Sequence, residues 1–193
     1  AIVSREMGVP AVVGTKEATS KLKDGAIVTV DGFTGKIYSG KTSETIEKKI
    51  LPAVKTKLKI KINVDLPSAA ERASESGIKS IGLMRIEGII AESGKHPLYF
   101  LKRNKINEYE EIIYQGIKKI MGYFDQAWIR TSDIRSDEFG DLEDALEKEL
   151  NPMLGMHGIR FSLKNLEILK AEINALERIV KDLNKKIGIL LPQ

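Results

Sequence analysis

What most constrains this chain is an alternation that begins near Lys59 and runs to the end: short β-rich runs separated by segments long enough to be helices. In residues 59–64, Ile60, Ile62 and Val64 recur at every second place, the period of a strand. Pro67 then opens a helix that runs to Ser76 and is closed by Gly77. Residues 80–84 read as a second strand, 127–129 as a third and 187–191 as a fourth, stopped by Pro192. Between them, residues 104–121 set Ile106, Tyr109, Ile113, Ile117 and Ile120 on one helical stripe, with glutamates early and lysines late, as the helix dipole favours. Residues 164–186 predict a longer helix. Strands alternating with helices predict an α/β fold of parallel βα units, and four such units amount to the first half of a TIM-type (β/α)8 barrel. A sheet that stops at its fourth strand has bare edges, which are costly. The chain also opens on Ala1 rather than Met. Both features lead to the expectation of a piece of a longer protein.

The first forty residues have a different texture. Residues 1–7 read as the last turns of a helix, closed by Gly8 and then Pro10. Residues 11–13 predict a short strand, 17–22 a short helix, and 26–30 and 35–38 two strands around a turn at Asp31 and Gly32. We therefore expect a small α/β element over residues 1–40, a linker over 41–58 and the barrel half over 59–193. Residues 41–57 are basic and polar and predict a solvated linker helix. Its lysines raise a nucleic-acid surface as an alternative, but no aromatic residue is interleaved before Lys61 to stack on bases, so no nucleic-acid partner is expected. The formal charge of +4 is the small remainder of 31 basic and 27 acidic residues, which a solvated Lys/Glu surface explains as well as an anionic partner does. The absence of cysteine excludes a disulfide framework, a thiolate metal site and a thiol nucleophile, and agrees with a reducing, cytoplasmic location. No apolar run is long enough to span a bilayer, so no membrane partner is expected.

Chemistry in such a barrel sits at the C-terminal ends of the strands. Two arginines fall there: Arg85, ending the run from Ile81, and Arg130, ending Ala127-Trp128-Ile129. A guanidinium is a planar fork that grips phosphate or carboxylate through paired charge-assisted hydrogen bonds. Glu87 and Asp133 are close enough in sequence to orient these arginines. The same residues equally suit two ordinary ion-paired surface arginines. A third candidate is the loop 151–160, where two glycines and a proline shape the chain and His157 and Arg160 are the polar groups on offer. A lone histidine of this kind is more often structural than catalytic, and His96, beside Pro97, has less support still. A different class of function is also open: Leu166, Leu169, Ile173, Leu176, Val180 and Leu183 alternate steps of three and four, the spacing of a coiled-coil seam on a non-catalytic interaction module. A barrel helix burying one face explains the same spacing, and the run lasts less than three heptads.

Four stretches, in order, carry a resemblance. Ala1-Ile2-Val3-Ser4-Arg5-Glu6-Met7-Gly8-Val9-Pro10-Ala11-Val12-Val13-Gly14 resembles the segment that follows the phosphorylated histidine in the phosphoenolpyruvate-utilising enzymes. The run from Ile81 to Glu87 is similar to that family's G-L-x-R-x-E strand end. Arg130-Thr131-Ser132-Asp133 resembles its second arginine site, and Asn151 to Arg160 its N-P-x-L-G-x-R-G-x-R loop. Within the family, Arg130 to Phe139 is most similar to the synthase branch; the pyruvate phosphate dikinases and enzyme I of the sugar phosphotransferase system are the alternatives.

The resemblance implies a mechanism and a set of parts. In the synthase branch, ATP and water phosphorylate a histidine on a swivelling domain, with release of AMP and phosphate. The phosphohistidine is carried to a barrel, where pyruvate accepts the phosphoryl group as its enolate. Residues 1–40 would then be the end of the phosphohistidine domain. Arg85 and Arg130 would bind the phosphate or carboxylate of phosphoenolpyruvate or pyruvate. The histidine is expected two places before Ala1, and the magnesium ligands, the proton donor and the ATP-binding domain also outside this chain. No catalytic or metal-binding residue is therefore expected within it, and the piece alone is expected to be inactive; the parent is expected to be a homo-oligomeric phosphotransferase. His157 stands where the family has the first arginine of its loop, while Arg160 matches the second.

Overall fold

The computed structural model describes residues 2–42 and 50–193 of the chain. Its contacts divide it into two units, Ala1–Leu51 and Pro52–Gln193. The linker helix expected over residues 41–57 lies partly outside the described residues, and the described stretch 50–57 contains no helix.

The first unit has two short helices, α1 (Ile2–Met7) and α2 (Ala18–Lys21), and a hairpin of β1 (Val28–Asp31) against β2 (Lys36–Ser39). The hairpin register runs from Val28 opposite Ser39 to Asp31 opposite Lys36. Asp31 folds the connection, because its carboxylate accepts the backbone N–H groups of Phe33 at 2.9 Å and Thr34 at 3.1 Å. The strand expected at residues 11–13 does not form; that segment pairs with no other strand and stays irregular.

The second unit is the alternating part of the sequence. Its strands are β3 (Ile62–Asn63), β4 (Ser80–Arg85), β5 (Gln126–Arg130) and β6 (Lys186–Leu190), parallel and in the order β3-β4-β5-β6. Sequential order in a parallel sheet requires a crossover after every strand. Helix α3 (Ala70–Ser74) makes the first. Three helices make the second: α4 (Glu87–Ser93), α5 (Pro97–Lys102) and α6 (Ile106–Met121). The third contains α7 (Gly158–Lys164) and α8 (Leu166–Leu183). The expected first strand shortens to two residues, and three helices (α4, α5 and α7) lie where residue periodicity alone placed none. They are six or seven residues long, too short to show a helical period.

The helices cover one face of this sheet. Ile81, Met84, Ala127 and Ile129 join Ile113, Ile117, Ile120, Ala175 and Ile179 in one buried cluster. On the other face of β5, Trp128 remains 49 % exposed and lies against Gly188 of β6, where a Cβ would meet its ring. Helix α8 packs chiefly on α6. Its buried side is Ile168, Ala171, Glu172, Ala175, Leu176 and Ile179, with two alanines that let the helices approach closely. That is not the seam read from the leucine spacing: Leu166 and Val180 are exposed, Leu169, Ile173 and Leu183 are half-buried, and of the six only Leu176 is fully buried.

Candidate functional site: the strand tips of the second unit

Asp65, Arg85 and Arg130 close the first three strand tips. Arg85 and Arg130 are register partners in the last rung of the β4–β5 ladder, so the fold sets the two arginines side by side on neighbouring strands. Their side chains are 33 % and 23 % exposed, open to solvent at one end and held by carboxylates at the other.

The carboxylates differ in part from those nearest in sequence. Arg85 is held by Asp65, two residues past the end of β3. The Asp65 carboxylate accepts the Arg85 backbone N–H at 2.8 Å and Nε at 2.7 Å, and forms a further ion pair with a terminal guanidinium nitrogen. Glu87 turns instead to Arg130, which donates to its Oε1 at 2.5 Å; the Asp133 N–H donates to the same oxygen at 3.0 Å. Asp133 lies 3.3 Å from the other terminal nitrogen of Arg130. The strand-end aspartate Asp65 was the residue that sequence reasoning passed over, and its place one residue after Val64 was the available signal.

Gly88 makes this arrangement possible. A Cβ there would stand 2.6 Å from the Asp65 carbonyl oxygen, so only glycine lets the start of α4 approach the Asp65 loop. Glu87, the residue before it, is buried, and burial pushes its carboxyl above the ordinary carboxylate range against the opposing pull of Arg130. Glu87 Oε2 and Arg130 Nε are both buried without a hydrogen-bond partner among the described residues. Buried polar atoms are ordinarily paired, so an unpaired guanidinium nitrogen marks unused donor capacity at this mouth.

The loop 151–160 reaches the same place. A 3-10 turn (Pro152–Leu154) leads into α7, and the Ile159 N–H bonds to the Pro192 carbonyl just past β6 at 2.7 Å. Gly158 has φ +53, and a Cβ there would lie 2.9 Å from the Pro192 carbonyl oxygen, so the junction admits only glycine without strain. His157 is buried, with Nδ1 2.7 Å from Asp133 Oδ1 and Nε2 3.0 Å from the Met153 carbonyl. Arg160 donates from Nε to the Gly155 carbonyl at 2.9 Å, which shapes the loop. His96 lies elsewhere: it caps α5 by accepting the Leu98 N–H at Nδ1, 3.2 Å away, and burial lowers its pKa to about 4.

Behind the cluster, Glu172 of α8 ties two elements to the tip of β5. It accepts the Tyr109 hydroxyl at 2.7 Å and the Ser132 backbone N–H at 3.1 Å. Burial raises its pKa to about 7.

Parallel βα units that end in a pair of carboxylate-braced guanidinium groups define an α/β domain equipped to hold a small anion at its strand tips. Comparison with known proteins gives the family. Residues 41–193 match the family described as PEP-utilising enzyme, PEP-binding domain, and residues 1–35 match PEP-utilising enzyme, mobile domain. The chain belongs to the PEP-utilising enzymes. It is 42 % identical to a phosphoenolpyruvate synthase of Pyrococcus furiosus, over the whole of this chain and 26 % of the relative. It is also 42 % identical to a probable phosphoenolpyruvate synthase of Archaeoglobus fulgidus, covering 27 % of that protein. A probable phosphoenolpyruvate synthase of Methanocaldococcus jannaschii is 43 % identical, and there the chain spans 17 %. The chain thus spans about a quarter or less of the length of these curated relatives.

Proposed function

We propose that this chain serves as the segment of a phosphoenolpyruvate synthase that delivers two arginines to the phosphoenolpyruvate/pyruvate site. The overall reaction is the conversion of pyruvate, ATP and water to phosphoenolpyruvate, AMP and phosphate through a phosphohistidine. On this reading residues 1–40 end the swivelling domain that carries the phosphohistidine, residues 41–58 link it, and residues 59–193 supply the first four strands of the barrel and the three crossovers between them. The helix-free face of the sheet, with Trp128 on it, is then the barrel interior. A cytoplasmic, homo-oligomeric enzyme is part of the same reading.

The single observation that carries it is the register pairing of Arg85 with Arg130 at the tips of adjacent parallel strands. Phosphoenolpyruvate presents a phosphate and a carboxylate, and two neighbouring forks can take one group each or share the phosphate. Asp65, Glu87 and Asp133 keep the guanidinium groups from turning outward, so that little side-chain order remains to be imposed on binding. During transfer, negative charge shifts between the phosphoryl oxygens and the enolate oxygen, and fixed guanidinium charges stabilise it without reorganising.

Among the described residues, no group of three or more His, Asp or Glu side chains could hold a metal ion. Magnesium remains a proposal for the whole enzyme, and no step here passes through it. No helix among the described residues is long and apolar enough to cross a membrane.

The test is titration calorimetry of the full-length protein with phosphoenolpyruvate. Arg85→Ala and Arg130→Ala should each weaken binding by about tenfold or more, the loss of a charge-assisted hydrogen-bonding group. Unchanged affinity in both variants refutes the assignment.

A further inference from the structure

His157 occupies a position the proposed site leaves unexplained. It is 5 % exposed, too enclosed to serve as a ready ligand-binding group, and both of its ring nitrogens are already engaged. Nδ1 faces the Asp133 carboxylate at 2.7 Å, and Nε2 faces the Met153 carbonyl at 3.0 Å. Both partners are acceptors, so the ring satisfies both only when it carries both protons. Asp133 in turn faces Arg130 at 3.3 Å, and its backbone N–H is pinned to Glu87. The chain of contacts therefore runs from the Met153 loop through His157 and Asp133 to Arg130.

The charges point the same way. Asp133 faces two cationic or proton-bearing groups at once, Arg130 at 3.3 Å and His157 at 2.7 Å, so its place between them is fixed from both sides. Among the described residues, Asp133 is the one carboxylate that His157 and Arg130 share.

We propose that His157 is a positioning residue for anion binding: through Nδ1 it holds the Asp133 carboxylate that orients Arg130, and through Nε2 it locks the 151–157 loop to that carboxylate. This inference rests on the reading of Arg130 as an anion-binding group. It assigns His157 no contact with substrate.

The two ring nitrogens can be tested separately in the full-length protein. An Asn side chain places its amide nitrogen near the site of Nδ1, and a Gln places its own near Nε2. The readout is the phosphoenolpyruvate dissociation constant by calorimetry. His157→Gln, which loses the Asp133 contact, should weaken binding about tenfold, the scale of one charged hydrogen bond. His157→Asn, which keeps it, should stay within about threefold of the parent. In an Arg130→Ala background the Asn and Gln variants should bind alike, because the effect passes through Arg130. Equal losses for Asn and Gln, a Gln loss that persists without Arg130, or no loss at all overturns the inference. If Arg130→Ala itself leaves affinity unchanged, the anion-site reading fails and takes this inference with it. If Arg130→Ala weakens binding and His157→Gln does not, only the role of His157 fails.

Discussion

At the scale of single residues, the chemistry of this unit depends on carboxylates placed where water cannot reach them. Glu172 shows the consequence most plainly. In the folded chain its pKa is raised to about 7, against 4.5 in the unfolded chain, because burial outweighs the hydrogen bonds from Ser132 and Tyr109. Between these values the native chain holds a proton that the unfolded chain has released. Stability contributed by this residue therefore falls as pH rises through that window and levels off above it. His96 acts in the opposite sense: its pKa drops from 6.5 to about 4, so its contribution is lost as pH falls through that range. Glu172→Gln removes one of the two opposed titrations. Urea unfolding at pH 5 and pH 7 should show the change in stability over that interval more favourable in the variant than in the parent, by on the order of 2 kcal/mol. An identical slope for both proteins contradicts the burial argument.

At the scale of elements, α8 decides between two readings of one sequence pattern. Leucines and isoleucines in steps of three and four fit a coiled-coil seam as readily as a helix laid on a domain. Packing against α6 selects a stripe that includes Ala171, Ala175 and Ile179 and leaves Val180 44 % exposed. Glutamates on α6 reinforce the choice: Arg178 bonds Glu110 at 3.0 Å and Glu111 at 2.8 Å, and its guanidinium stacks 3.9 Å from the Tyr114 ring centre. Ile179→Ala should cost about 2–4 kcal/mol through the cavity it leaves, and Val180→Ala less than about 1 kcal/mol. Thermal unfolding of the two variants checks this, and comparable losses would return the seam to consideration.

At the scale of the whole molecule, the two units differ in how much they bury. Among the described residues 3–42 none is buried, and β1 is only half-buried along its length. The second unit has a continuous cluster from Val64 to Ile179 that includes Phe100, Phe124 and the buried stripe of α6. An isolated two-stranded hairpin is marginal in water, whereas strands over such a core open only with the unit. Amide hydrogen exchange on this chain should therefore find the β1–β2 bonds exchanging at least about a hundredfold faster than those of β4 and β5. Equal protection of hairpin and sheet would mean that the hairpin draws stability from a source outside its own residues.

The parallel α/β class, the strands at 80–84, 127–129 and 187–191 and the stripe of α6 were legible in the sequence, because period and length are local properties that neighbouring residues dictate. Arg85 and Arg130 were legible as strand-end residues for the same reason. Their pairing was not, since register between strands depends on how two segments forty-five residues apart settle on the helices beneath them. Nor were the partners. Asp65 takes Arg85 and Glu87 takes Arg130 because Gly88 lets α4 press on the Asp65 loop, and His157 reaches Asp133 because Gly158 lets α7 turn under Pro192. Charges choose partners by distance in space, and distance in space exists only once the chain has packed.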